Sequence, residues 1–310
     1  MKYTEVGISG LRAPRVITGF YRVQDSRADE VRALIDTSLE AGVNFFDHAD
    51  IYGGGRCEEL FAEAIGMNDD IREKIILQSK CGIVPGQRYD FSKEHIIKSV
   101  EGSLRRLRTD YLDVLLLHRP DALMEPAEVA EAFSALHGAG RVKHFGVSNF
   151  GTGQLELLRK NLQFPLIANQ MQLSIAHSPM IRNGLTVNVT DDDDAIIRDG
   201  GVLDYCRLND ITIQAWSPIK FVTPGTEGRT FIDSPAYPEL NAKLGELAEK
   251  YKVSKTAIAI AWILRHPANM QVLAGTTKAW RLRECLEAGD VTITREEWYE
   301  LLISAGFKLP

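Results

Sequence analysis

The chain has 310 residues, a net charge of −6 and 45% hydrophobic residues. This mildly acidic balance argues against nucleic acid or an anionic membrane as the main partner. The amino terminus has no apolar leader, and the longest apolar stretch, near 257–264, is too short to span a bilayer, so we expect a cytoplasmic protein. The cysteines show no CxxC or zinc spacing, which predicts reduced thiols and no metal site.

Strand and helix patterns alternate along the chain after an opening hairpin at Lys2–Val6 and Leu11. The predicted strands are 16–20, 43–47, 75–80, 112–118, 144–148, 166–170, 211–216 and 270–274. The predicted helices are 26–41, 58–65, 92–107, 126–139, 153–160, 195–209, 239–265 and 278–288, with a final helix at 295–304. Ser26 and Asp29 predict a capping box at the start of the first helix.

Eight strand–helix units predict an α/β protein with a closed (β/α)8 TIM barrel, an N-terminal β-hairpin and an additional C-terminal helix, in one domain spanning 1–310. A doubly wound sheet is the main rival, but no G-x-G-x-x-G follows the first strand. The long loops 173–194 and 218–238 are candidate lids or binding loops. The acidic run 191–194 is interpreted as a solvated helix start rather than a metal site.

Four polar residues stand at or just after three consecutive strand ends: Asp47, Tyr52, Lys80 and His118. Strand ends of a (β/α)8 barrel surround one site, so these side chains are expected to meet. An ammonium group beside a phenol should lower the phenol pKa, which would make Tyr52 a better acid. The set suits protonation of a carbonyl oxygen during hydride transfer. Each residue taken singly is as readily a structural ion pair or a packed ring.

Here the sequence resembles the aldo-keto reductases. KYTEVGISGL is similar to the bottom-sealing hairpin of that family, and GVNFFDHADIYG with the following Glu58 is similar to its first signature. Lys80 and His118 stand where the family has its catalytic lysine and histidine. The resemblance implies that Tyr52 is the general acid/base, that Lys80 and Asp47 tune it, and that His118 orients the carbonyl.

The resemblance also implies an NADPH site. GVSNF would hold the nicotinamide carboxamide through Ser148 and Asn149, and Trp216 would stack on the ring. The residues implied for the cofactor are Gly19, Asp47, Ser148, Asn149, Gln170, Trp216, Ser217, Pro218, Gly275, Thr276, Thr277, Arg281 and Glu284. A guanidinium at Arg281 would favour NADP over NAD. Many relatives have Pro-Lys at Ala274–Gly275 and Asn at Cys285, so the grip on adenosine phosphate is expected to be weaker here.

The sequence specifies the substrate poorly beyond a small carbonyl compound. The candidate pocket residues are Phe20, Tyr21, Tyr52, His118, Arg119, Ile175 and Phe221. Arg119 either favours an anionic substrate or faces solvent. Two rival functions stay open, a cofactor-binding regulatory subunit and a Schiff-base lyase that uses Lys80. A monomer is the expected state.

Overall fold

A computed structural model describes residues 1–189, 193–221 and 230–308. The strands in these ranges are β1 (Tyr3–Glu5), β2 (Arg12–Pro14), β3 (Val16–Gly19), β4 (Phe45–Asp47), β5 (Ile76–Cys81), β6 (Ile83–Val84), β7 (Arg88–Tyr89), β8 (Leu112–Leu117), β9 (Val142–Ser148), β10 (Leu166–Gln172), β11 (Thr212–Trp216) and β12 (Gln271–Gly275). The helices are α1 (Ala28–Glu40), α2 (Arg56–Ile65), α3 (Asp69–Arg72), α4 (Lys93–Leu107), α5 (Pro126–Gly138), α6 (Thr152–Arg159), α7 (Pro179–Leu185), α8 (Val202–Leu208), α9 (Pro238–Tyr251), α10 (Lys255–Arg265), α11 (Ala279–Glu287) and α12 (Arg295–Ser304).

Eight of the strands close into one barrel, in the order β3-β4-β5-β8-β9-β10-β11-β12 and back to β3. Every neighbouring pair is parallel, because a helix returns the chain to the same end of the barrel between strands. The antiparallel hairpin β1-β2 and the last helix α12 complete the predicted (β/α)8 architecture. The fold prediction is therefore confirmed.

Side chains inside the barrel follow the two-residue period of a strand and change character along it. On β5, Ile76 belongs to a small apolar cluster together with Val6 and Ala13 near the hairpin, whereas Gln78 and Lys80 follow it at the same spacing. A separate, larger cluster packs the outer strand faces against the helices. The hairpin end of the interior is thus apolar, and the interior becomes polar toward the strand carboxyl ends.

The start of α1 differs from the prediction. Its N-cap is Arg27 rather than Ser26, and the Arg27 backbone N–H donates to the Glu30 carboxylate at 3.0 Å. Asp29 instead forms an ion pair with the Arg27 guanidinium. The acidic residue that closes the first turn is one position later than expected, because two acidic residues follow each other in this sequence.

Two predicted helices are shorter than their hydrophobic patterns. The pattern at 195–209 forms a helix only in α8, because Gly200 and Gly201 precede it with positive φ angles. The pattern at 239–265 splits into α9 and α10. Lys252 ends α9 in a left-handed conformation, and the Ser254 hydroxyl caps α10 by accepting from Ala257 N–H.

Several short elements were not predicted from the sequence: the hairpin β6-β7, α3, and α7 within the loop 173–194. Each is too short to show a hydrophobic period. Of the acidic run 191–194, the structure describes Asp193 and Asp194, which lie in a short 3₁₀ turn. Most of the second long loop, at 222–229, falls outside the described residues, so the lid interpretation there stays a prediction.

The four cysteines are buried and free, as expected for reduced thiols. Across the described ranges, no helix combines the length and the apolar character that crossing a membrane requires.

Two tryptophans hold α12 on the barrel. The rings of Trp262 on α10 and Trp298 on α12 stack at 4.8 Å, and each indole N–H donates to the backbone carbonyl of the other residue at 3.0 Å. A buried indole is stable only when its N–H finds an acceptor, and this reciprocal pair satisfies both.

We expect Trp298→Ala to lower the free energy of unfolding by about 3–5 kcal/mol, because it leaves a cavity against Trp262. Trp280→Ala is the control, since that ring is 54% exposed and its loss should cost less than about 0.5 kcal/mol. Denaturant unfolding measures both values. Equal losses in the two variants would contradict a structural role for the stacked pair.

Candidate active site

Four strand-end side chains meet at one end of the barrel, as the sequence predicted. Asp47 ends β4, Lys80 lies near the end of β5, His118 directly follows β8, and Tyr52 begins a 3₁₀ turn after β4. The Lys80 ammonium lies 3.2 Å from the Tyr52 hydroxyl, and the Tyr52 and His118 rings meet edge to face at 5.8 Å. The local chain order therefore brings a phenol, an ammonium, a carboxylate and an imidazole together.

Lys80 and Asp47 form a buried ion pair. The ammonium donates to both carboxylate oxygens of Asp47, at 2.8 and 2.7 Å, and to the His48 backbone carbonyl at 2.8 Å. The Lys80 side chain is 0% exposed and that of Asp47 is 2% exposed. Burial by itself lowers the Lys80 pKa, but the Asp47 charge and the contacts with Tyr52 outweigh it, so the pKa is raised. Lys80 is a stable cation here.

The expected lowering of the Tyr52 pKa is not found. Burial raises this pKa, and the attraction of Lys80 for the phenolate offsets only part of the rise. The nearby Asp47 charge acts in the same direction as burial. The prediction was right about the effect of Lys80 and wrong about the net direction, because the sequence did not reveal that burial around the partly buried phenol outweighs the attraction of Lys80. Tyr52 is thus a protonated phenol in the free protein.

His118 is neutral. Burial lowers its pKa to about 2, and the charges of Lys80 and Arg119 contribute to the shift. Its Nδ1 is buried without a hydrogen-bond partner in the described part of the chain. The Asn149 amide donates to the His118 backbone carbonyl at 3.3 Å, which fixes the strand end rather than the ring. A neutral imidazole beside a phenol can hydrogen-bond a polar group of a ligand.

A layer of buried glutamines lies beneath these residues, and of its members only Gln170 was singled out in the sequence, for a different role. Gln78 donates to Asp47 Oδ1 at 2.6 Å and to Gln214 Oε1 at 2.9 Å. Gln170 donates to the same two oxygens, at 3.1 and 3.2 Å. Gln214 donates to Gln271, which donates to a backbone carbonyl of the hairpin end. The alternation Ile76, Gln78, Lys80 on β5 is the signal that could have shown one of them.

The predicted nicotinamide-binding residues are also brought together. Ser148 ends β9 and donates to the Gln170 backbone carbonyl at 2.9 Å. The Asn149 amide donates to Ser148 Oγ at 2.8 Å, and the Trp216 indole N–H donates to Asn149 Oδ1 at 3.1 Å. Ser148, Asn149, Gln170 and Trp216 therefore form one connected polar wall beside Asp47.

The remaining cofactor candidates line the rim. Gly19 and Gly275 are paired on neighbouring strands, and a side chain at Gly275 would meet open space. Ser217 adopts a left-handed conformation with φ of 54°, Pro218 is buried, and Thr276 Oγ1 accepts from Lys278 N–H. The partly buried Thr277 leads into α11.

Arg281 and Glu284 both lie on α11, but they do not pair with each other in the described ranges. The Arg281 guanidinium is exposed and lies over the Trp280 ring at 4.9 Å, with no ion-pair partner within those ranges. The Glu284 carboxylate accepts from Thr256 Oγ1 at 3.5 Å. Arg281 is therefore available to a ligand.

The candidate pocket residues separate into two groups. Tyr21 is half exposed and lies 4.9 Å from the Tyr52 ring, and the Arg119 guanidinium lies over Trp216 at 5.7 Å, so both border the open side. Phe20 is fully buried against His48 and Phe61. It supports the site from behind instead of lining it. Ile175 and Phe221 are buried in the large cluster between barrel and helices.

A second buried charged cluster anchors the loop that carries Tyr52. The Glu58 carboxylate accepts from Arg106 Nε and from Ser79 Oγ, both at 2.7 Å. Burial and the Glu58 charge raise the pKa of Asp50 to about 7. The cluster ties α2, α4 and β5 together directly behind the site.

Comparisons with known proteins agree with this geometry. The sequence pattern of the Aldo/keto reductase family matches residues 15–302. The chain is 36% identical over 307 residues to Oxidoreductase YdhF of Escherichia coli K12, covering 96% of this chain and 95% of that protein. It is 34% identical over 303 residues to a 6-dehydroglucose reductase of Agrobacterium fabrum, covering 94% of each. A solved thermostable aldo-keto reductase with the inhibitor epalrestat superposes with a TM-score of 0.77 at 28% identity, covering 99% of this chain and 100% of that one.

We expect the imidazoles of His118 and His48 to stay neutral from about pH 8 to about pH 5, below the ordinary imidazole pKa of about 6.5. Burial is the main cause in both, and it lowers the His48 pKa to about 3. Nitrogen-15 NMR of the rings, assigned with His118→Asn and His48→Asn, measures this. A midpoint near the ordinary value would contradict the burial argument. Between about pH 8 and pH 5 only the unfolded chain binds protons at these two imidazoles. The free energy of unfolding should therefore fall as the pH is lowered through this range.

Proposed function

The chain belongs to the Aldo/keto reductase family, and we propose that it is an NADPH-dependent reductase that converts aldehydes and ketones to alcohols, with one catalytic domain over 1–310. The observation that carries the proposal is the Lys80 ammonium, which contacts the Asp47 carboxylate and the Tyr52 hydroxyl at once. A structural ion pair has no need of the phenol or of a neutral imidazole beside it.

The residues act on the carbonyl oxygen in a defined order. His118 donates a hydrogen bond to the oxygen and orients the carbonyl next to Tyr52. NADPH, when bound, supplies the hydride to the carbonyl carbon. The Tyr52 hydroxyl gives its proton to the oxygen as negative charge develops there, and the alcohol is the product. Lys80 stabilises the phenolate that remains, and Asp47 keeps Lys80 charged and in place.

The donor set fits a nicotinamide cofactor. Ser148, Asn149 and Gln170 offer hydroxyl and amide groups suited to a carboxamide, and Trp216 offers a half-buried ring face beside them. Gly275 is exposed and a side chain there would meet open space, which leaves room for the cofactor backbone. The buried Gly19 on the neighbouring strand, Ser217 and Pro218 are our further candidates for contacts with it. The backbone N–H groups in the first turn of α11 suit a phosphate.

Arg281 is our candidate for the 2′-phosphate of NADPH. Its planar guanidinium matches phosphate geometry, and it has no ion-pair partner in the described ranges to compete. Glu284 and the threonines Thr276 and Thr277 complete the adenosine segment. Because Gly275 and Cys285 replace residues that many relatives use there, Arg281 carries a larger share of the discrimination between NADPH and NADH.

The substrate is a small carbonyl compound that reaches Tyr52 and His118 between Tyr21 and Arg119. Both flanking residues carry polar ends, so hydroxylated or anionic aldehydes suit this opening better than purely apolar ones. The name of the relative from Agrobacterium fabrum indicates a sugar carbonyl as its substrate. Sugar aldehydes therefore belong in the first panel of compounds to be tested.

The two rival functions are less well supported. A Schiff-base lyase needs a neutral, mobile amine, whereas Lys80 is buried, donates to three different residues and has a raised pKa. A regulatory subunit does not need a phenol, an ammonium, a carboxylate and a neutral imidazole assembled at one end of the barrel. We place the enzyme in the cytoplasm, in line with its buried free thiols, and regard a monomer as its working state.

Replacement of the acid tests the proposal directly. We expect Tyr52→Phe to reduce carbonyl turnover by about 10²–10⁴-fold, because the oxygen loses its proton donor. NADPH binding, followed by quenching of tryptophan fluorescence, should stay close to that of the wild type. Tyr3→Phe, in the hairpin at the other end of the barrel, serves as the control. Normal turnover in Tyr52→Phe would remove Tyr52 from this role.

We expect Arg281→Ala to weaken NADPH binding by about 10–100-fold, the value of a hydrogen bond to a charged group, and to leave NADH binding nearly unchanged. Arg283→Ala is the matched control, since Arg283 is exposed on the same helix. Fluorescence titrations of the wild type and both variants with each dinucleotide measure the six affinities. Equal losses for NADPH and NADH would exclude Arg281 from the 2′-phosphate site.

A further inference from the structure

The barrel interior holds a continuous chain of hydrogen bonds that ends at the ion pair of the site. It begins at the Pro14 carbonyl, passes through Gln271, Gln214 and Gln78, and reaches Asp47 Oδ1. Gln78, Gln214 and Gln271 are 0% exposed and Gln170 is 3% exposed. We call these four residues the glutamine layer. Its members lie on β5, β10, β11 and β12, so it crosses the whole barrel.

A barrel interior of this size is ordinarily filled by branched apolar side chains. Each buried amide must find hydrogen-bond partners, and an unfilled donor or acceptor costs about 1–3 kcal/mol. Stability alone would therefore favour apolar side chains over glutamines at these positions. The bonds within it are arranged around one group, the Asp47 carboxylate, which accepts from Gln78, Gln170 and Lys80 through the same oxygen.

We propose that Gln78 and Gln214 are positioning residues for the reaction, which hold the Asp47 carboxylate oriented so that Lys80 stays 3.2 Å from the Tyr52 hydroxyl. Gln78 acts by its bond to Asp47. Gln214 acts one step further away, since its Oε1 accepts from both Gln78 and Gln170 and aims their amides at the carboxylate. The inference rests on the proposed function and extends it to residues that touch neither substrate nor cofactor.

The electrostatic consequence has a definite sign. An amide N–H directed at Asp47 reduces the negative potential that this carboxylate exerts on its surroundings. The Asp47 charge raises the Tyr52 pKa, and Lys80 lowers it. Removal of the Gln78 donor therefore strengthens the opposing charge and makes the Tyr52 phenolate harder to form. The other titratable groups near Tyr52 and Lys80 are Tyr21, Arg119 and the neutral His48 and His118. In the described ranges none of them hydrogen-bonds the Gln78 side chain, whose partners are Asp47 and Gln214.

Two substitutions with the same chemistry separate positioning from stability. Gln78→Met and Gln271→Met each replace a fully buried amide by an apolar chain of similar length, and each breaks bonds to Gln214. Of these two glutamines, Gln78 contacts Asp47 and Gln271 does not. Both variants should be less stable than the wild type, and only Gln78→Met should alter the chemistry.

The test measures kcat, KM and NADPH affinity, together with the pH dependence of alcohol oxidation, in which Tyr52 must accept the proton. For Gln78→Met we expect kcat to fall by about tenfold or more, with KM and NADPH affinity within about threefold of the wild type. The acid-side apparent pKa of alcohol oxidation should move up by at least about half a unit. For Gln271→Met the pH profile should stay in place.

A readout that does not depend on turnover accompanies the kinetics. The nitrogen-15 signal of the Lys80 ammonium, assigned with Lys80→Met, should shift in Gln78→Met and stay in place in Gln271→Met. If Gln78→Met does not fold, Gln214→Met replaces it, with the same direction of change and a smaller size. Equal kinetic and spectral effects in the glutamine variants would overturn the proposal. If the wild type itself shows no carbonyl turnover, the proposed function is refuted instead. The Lys80 ammonium signal would still show whether Gln78 positions the ion pair.

Discussion

The buried ion pair between Lys80 and Asp47 is the interaction on which the site depends. Two charges removed from water are tolerated only when their attraction is supplemented by hydrogen bonds that fill the remaining positions on each group. The structure meets this condition on both sides. The ammonium has a carboxylate, a backbone carbonyl and a phenol around it, and the carboxylate has two glutamine amides. The position of Tyr52 follows from that arrangement, because its hydroxyl is one of the acceptors that the ammonium requires.

The balance of forces on Tyr52 explains which form of the phenol is present. Burial of the ring opposes ionisation, and Lys80 favours it, with burial the larger effect in the free protein. The phenol therefore stays protonated and is ready to donate. Lys80 becomes most important when the proton leaves, because the phenolate then lies beside an ammonium that cannot give up its own proton easily. Because His118 is neutral, it can lie beside the Tyr52 oxygen without repelling Lys80. A charged imidazole would repel the ammonium.

The sequence predicted the barrel and the four strand-end residues because both depend on short-range patterns. Short apolar runs between helical spacings located all eight barrel strands, and Asp47, Lys80 and His118 stood at or near the ends of three of them. The glutamine layer and the pKa of Tyr52 depend on residues far apart in the chain: Gln78 and Gln214 are separated by 136 positions. The same limit applies to Phe20, whose place behind the site follows from its packing on His48 and Phe61. The capping error at Ser26 is local and shows that neighbouring acidic residues compete for one cap.

Of the nine non-glycine residues with positive φ in the described ranges, three lie at the rim of this site. Arg22, Asn149 and Ser217 all have positive φ angles between 54° and 70°, and each follows soon after or directly continues a barrel strand, β3, β9 or β11. Such conformations cost of order 1–3 kcal/mol each for residues other than glycine, and they persist only where the surroundings enforce them. At Asn149 the contacts that enforce the conformation are those of its side chain. The side-chain amide N–H donates to Ser148 Oγ and to the His118 backbone carbonyl, and Oδ1 accepts from the Trp216 indole N–H. Since these partners are themselves placed by strand ends, the barrel that confines the ion pair also fixes the strained turn beside it. The strained turn at Asn149 and the ion pair of Lys80 are thus both positioned by strand ends of the same closed sheet.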